Sequence, residues 1–96
     1  MGAEVFIVRS NGKNAHEAFE KAVSVAHYNY GHRGYTGTIA EKSSFIVIDP
    51  PVFGTAEEYV KDLIDNRDSR IGDKWGPAGC IKCGENEYLF FGWASS

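Results

Sequence analysis

The sequence predicts a single α+β domain over residues 1–96, with two helices packed on one face of a mainly antiparallel sheet. Three observations predict this. Two stretches carry apolar residues at helical spacing, and each opens on a capping residue followed three positions later by Glu. Short apolar runs rich in β-branched residues surround them, separated by turn-forming Gly, Asn and Pro. A chain of 96 residues is too short to build two independent cores.

Residues 4–9, Glu-Val-Phe-Ile-Val-Arg, read as a short buried strand ending in the turn signal Ser10-Asn11-Gly12. Asn14 then caps the first helix, with Glu17 placed to reach back to the cap's N–H. Ala15, Ala18, Phe19, Ala22, Val25, Ala26 and Asn29 lie near one face of it and cover the sheet. Gly31 is a natural stop, since it can take the left-handed conformation. Residues 36–42 and 45–49 follow as two strands of a tight hairpin around Ser43-Ser44. Pro50-Pro51 closes the second strand because proline cannot donate to a ladder.

Thr55 opens the second helix, with Glu58 completing a capping box and Tyr59, Val60, Leu63, Ile64 and Ile71 as the buried stripe. Two further strands, 78–83 and 87–94, are joined by Gly84-Glu85-Asn86. The expected order is β-α-β-β-α-β-β. Capped helix, glycine-rich loop and hairpin occur twice, at nearly equal distances from Asn14 to Gly37 and from Thr55 to Gly79, which predicts an αββ pseudo-repeat.

A formal charge of −3 excludes a protein that coats nucleic acid, which needs a basic surface. No run of 18 apolar residues is long enough to span a membrane, and the first residues lack the basic and apolar regions of a signal peptide. Two cysteines within one short segment do not make a secreted disulfide framework, so a reduced, cytoplasmic protein is expected. Cys80-Ile81-Lys82-Cys83-Gly84 resembles half of a zinc knuckle, but no second C-x-x-C exists, and in a regular strand residues 80 and 83 point to opposite faces. No metal or other cofactor is assigned.

The segments suited to chemistry are two glycine-rich loops, one after each helix. The first reads Gly31-His32-Arg33-Gly34-Tyr35-Thr36-Gly37 and the second Gly72-Asp73-Lys74-Trp75-Gly76-Pro77-Ala78-Gly79. Arg33 and Lys74 offer charge for an anion, Tyr35 and Trp75 offer ring faces for stacking, and His32, Gly34, Thr36 and Gly37 offer close polar contacts. Neither loop is a phosphate-binding P-loop, and no nucleophile elbow or catalytic triad order is present, so no catalytic residue is assigned. His16, Glu20, Ser24 and His27 share a helix face, and Glu57, Glu58, Lys61, Asp62, Asp65 and Asp68 form the polar side of the second helix; both read as solvated faces. The last strand, Tyr88-Leu89-Phe90-Phe91-Gly92-Trp93, is apolar on both faces. With both helices on one side, its other face predicts a partner subunit, hence a homodimer or higher oligomer.

Residues 34–42 and 74–81, under a fifth of the chain, resemble segments of small phage-type proteins without assigned function. That resemblance implies a binding protein acting against bacterial defence and transfers no catalytic residue. The expected function is therefore a small protein that sequesters a phosphorylated or nucleotide-like signal molecule between its loops. The alternatives are an inhibitor that docks on a host enzyme, and a small phosphodiesterase or lyase using His32.

Overall fold

A computed structural model describes residues 2–32 and 34–96. Strand β1 (Ala3–Asn11) leads into helix α1 (Ala15–Tyr30). A 3-10 turn, Ile39–Glu41, precedes the short strand β2 (Phe45–Val47). Helix α2 (Ala56–Asp65) then connects to strands β3 (Ala78–Gly84) and β4 (Glu87–Ser95). The sheet runs β1-β4-β3-β2, with β4 antiparallel to both β1 and β3 and β2 parallel to β3. This is the expected α+β class, with two helices and a mainly antiparallel sheet.

Both helix starts follow their signals. The Asn14 side chain accepts the Glu17 N–H at 2.8 Å, although Glu17 reaches back to Lys13 N–H rather than to the cap itself. Thr55 and Glu58 form a complete reciprocal capping box. Gly31 ends α1 at φ 85°, its N–H bonded to the His27 carbonyl.

Four expectations need correction: the strand at residues 36–42, the first hairpin, the pseudo-repeat and the placing of both helices on one face. The place held for a strand at residues 36–42 contains the 3-10 turn instead. Thr38 caps it by accepting the Ala40 N–H, the Thr36 and Thr38 hydroxyls bond each other at 2.8 Å, and Ile39 is fully buried. Hydroxyls that satisfy nearby backbone compete with a sheet ladder, so a β-branched run folds locally. In consequence there is no first hairpin; β2 pairs in parallel with β3 through the α2 crossover, and the αββ pseudo-repeat does not hold.

The helices also lie on opposite faces rather than on one. Phe6, Ala18, Phe19, Ala22, Ala26, Cys80, Tyr88, Phe90 and Ala94 make one core cluster, under α1. Ile48, Val60, Leu63, Ile64, Ile71, Ile81, Leu89 and Phe91 make the other, under α2. Alternate residues of β3 and β4 therefore feed two separate cores. This accounts for the doubly apolar last strand: α2 covers the face for which a partner subunit is expected from the sequence.

Candidate functional site

The two glycine-rich loops meet within one chain. Their junction is built by Lys42, the residue that caps the 3-10 turn at its C-terminal end. Its side chain is buried at 4% exposure, and its ammonium group donates to the carbonyls of Asp73, Lys74 and Gly76 at 3.3, 3.1 and 2.9 Å. Burial lowers its pKa, opposed by the charge of Asp73. Asp73 then fixes the turn from within, its carboxylate accepting the Trp75 N–H and its carbonyl the Gly76 N–H. Sequence reading placed Lys42 at a strand end and missed it; an ammonium group that holds three carbonyls more than thirty residues away leaves no local pattern.

Held in this way, Trp75 stands against Tyr35, ring centroids 6.3 Å apart and planes at 85°. Both rings are open to solvent, at 66% and 63% exposure. Trp75 is thus not a lid on the core; the partly buried Trp93 takes that role, covered by the Arg67 guanidinium 4.2 Å from its ring centre. Lys74 places its ammonium 5.4 Å from the Trp75 centroid and donates to the Gly2 carbonyl, which joins the site to the start of β1. His32 is exposed and stacks flat on His27, centroids 4.1 Å apart. Arg33 lies outside the described residues.

The first loop's polar groups face inward. Thr36 donates both its N–H and its hydroxyl to the Glu41 carboxylate, at 3.2 and 2.8 Å. Burial works to raise the pKa of Glu41, but hydrogen bonds from Thr36 and from the Tyr35 backbone, with His27 nearby, outweigh it and hold the group below the usual carboxylate range. Gly37 donates its N–H to the Ser95 carbonyl at 2.8 Å. It passes so close to the Glu4 side chain, at φ 71°, that a Cβ would collide there. Of the eight residues singled out from the sequence, Tyr35, Lys74 and Trp75 come together at the surface. Thr36 and Gly37 support the loop from beneath, with donors that an external anion would have to win from Glu41 and Ser95.

Two grooves lie away from these rings. A groove of about 600 Å³ runs between α1 and residues 42–45, past His16, Glu20 and Ser24, floored by Phe19 and Phe45. Another of about 490 Å³ follows β1 beneath Val25, Asn29 and Tyr30 and ends at Thr36 and Gly37. Neither is lined by Tyr35 or Trp75. Cys80 and Cys83 belong to opposite core clusters, and burial pushes the Cys80 thiol up to about 11 and raises that of Cys83, so the two sulfurs are neither adjacent nor poised as thiolates. His16 pairs with Glu20 at 3.3 Å on the solvated side of α1.

Comparison with protein-family models, with curated proteins and with solved structures gave no match.

Proposed function

We propose that this protein acts by binding rather than by turnover, and that it docks on another protein through the Tyr35–Trp75 patch. The carrying observation is the open ring pair itself. Two aromatic side chains more than 60% exposed are brought together from separate loops, the Trp75 loop being anchored from below by a buried lysine, and form an exposed aromatic contact surface. Tyr and Trp are the residues most enriched among those that dominate protein-interface energies. A small-molecule site, by contrast, buries most of its ligand in a concavity. Here the rings meet edge to face, and the neighbouring N–H donors already have acceptors in Glu41, Asp73 and Ser95.

A second reading, a nucleotide-like ligand stacked on the outer face of Trp75, draws on the Lys74 ammonium beside that ring. One comparison separates the two. Wild type and Trp75→Ala are immobilised and exposed to bacterial lysate, and in parallel are titrated with nucleotides and cyclic nucleotides by calorimetry. A defined protein retained by wild type and weakened tenfold or more by Trp75→Ala, with no heat of nucleotide binding, is the expected outcome. Saturable nucleotide binding lost in Trp75→Ala establishes the second reading instead. If Trp75→Ala changes neither, the patch is not the binding surface.

A further inference from the structure

The two edges of the sheet are unlike each other. The β2 edge is three residues long and runs into Pro50-Pro51, a common way of closing an edge to further pairing. The β1 edge is nine residues long, pairs with β4 without a register break, and contains neither Lys nor Pro. Gly2 exchanges two backbone hydrogen bonds with Ser96, and Gly12 donates to Asn86, so the even-numbered residues of β1 are those bonded to β4. The backbone groups of Val5, Ile7 and Arg9 consequently point outward. Among the described residues no strand lies beyond them, and none of the hydrogen bonds from loops or side chains reaches them.

The side chains match this opening. Val5 and Ile7 are 42% and 46% exposed on the α2 side of the sheet, where α2 does not reach. Arg9, next along that face, is held by Glu87, Glu57 and Cys83 of its own chain, so its charge is already paired although the side chain is exposed. On the other face, the groove beside residues 4–8 is roofed by Val25, half exposed, and Tyr30.

We propose that β1 pairs antiparallel with β1 of a second copy of this chain, across a two-fold axis at Ile7, to make one continuous sheet. The strand is complementary to itself in this register. Ala3 meets Asn11, Val5 meets Arg9 and Ile7 meets its own copy, all through outward-pointing backbone groups, so all nine residues are used with no overhang. On the opposite face Glu4 meets Ser10 and Phe6 meets Val8, so no like charges oppose. A two-fold contact requires one patch to complement itself, which this strand does. The Tyr35–Trp75 patches, near the start of β1, fall at opposite ends of the paired strands, so the dimer and the patch stand or fall separately.

Sedimentation equilibrium of the full chain over a wide concentration range tests this, with amide hydrogen exchange alongside. Wild type should sediment at twice 10.6 kDa at high concentration, with the Val5, Ile7 and Arg9 amides protected and losing protection on dilution. Ile7→Lys sets two ammonium groups opposite each other at the axis and should weaken the dimer tenfold or more, whereas Val47→Lys at the other edge should not. Mixing Ile7→Lys with Ile7→Glu should restore association; a mixture that stays monomeric overturns this register. A wild type that is monomeric throughout, with fast exchange at those three amides, overturns the proposal, as does a dimer indifferent to Ile7→Lys. If the variants do not fold, exchange in the wild type alone decides.

Discussion

At the scale of single residues, Lys42 decides where the second loop sits. A buried ammonium group is costly unless hydrogen-bonded, and here three carbonyls of one loop supply the partners. Lys42→Met keeps an unbranched apolar stem one atom shorter and removes every side-chain donor. It should cost about 1.5–3 kcal/mol in chemical denaturation, the range for hydrogen bonds to a charged group. It should also release Trp75 from Tyr35, read as loss of contacts between the two rings by NMR. Loss of stability with the ring contacts intact would show that Asp73 alone holds the loop. Tyr35 and Trp75 were legible as a pair from composition, since rings among glycines in two loops mark themselves. What composition could not convey was that the donors of Thr36 and Gly37 turn inward, because that depends on the 3-10 turn bringing Glu41 back onto Thr36 and on Ser95 arriving from the far end of the chain.

At the scale of elements, helix ends were the most legible feature and strand partners the least. Caps act within four residues, so Asn14 and Thr55 declare themselves locally. The parallel pairing of β2 with β3 joins residues over thirty positions apart, and no turn residue announces it. One element boundary carries a pH prediction. After α2, the Asp68 carboxylate takes two hydrogen bonds from the Arg70 guanidinium and one from its N–H, while the Asp68 carbonyl accepts from Ile71 and Gly72. The Arg70 hydrogen bonds hold the Asp68 carboxyl at about 2, below its ordinary range. A carboxyl depressed by folding stabilises fully above its unfolded pKa, and that contribution fades as pH falls toward the folded one. Thermal melts should therefore show wild type losing stability between about pH 4 and pH 2, with a shallower fall in Asp68→Asn. Parallel curves for the two proteins would mean that this turn contributes nothing to the acid limb.

At the scale of the whole molecule, the β4 strand belongs to both cores. Phe90 lies in the cluster under α1, edge-on to Phe19 and Phe45, and Phe91 lies in the cluster under α2 against Gly79, where a Cβ would come within 2.6 Å of its ring. Both rings are fully buried, and they are neighbours on one strand. Neither face can loosen without disturbing a backbone the other depends on, so the two layers should unfold as one unit. Phe90→Ala and Phe91→Ala should each cost about 3–5 kcal/mol, the range for removing a buried phenyl ring. Against a total of about 5–15 kcal/mol for a domain of this size, either change brings the protein close to unfolding. In urea, indole fluorescence, which includes Trp93 on the α2 side, should follow the same transition as far-ultraviolet circular dichroism, to which α1 contributes most helix. In Phe90→Ala the two signals should shift together although the substitution lies on the α1 side. If fluorescence keeps the wild-type midpoint while the helical signal moves to lower urea, the faces are independent units, and β4 joins them without coupling them.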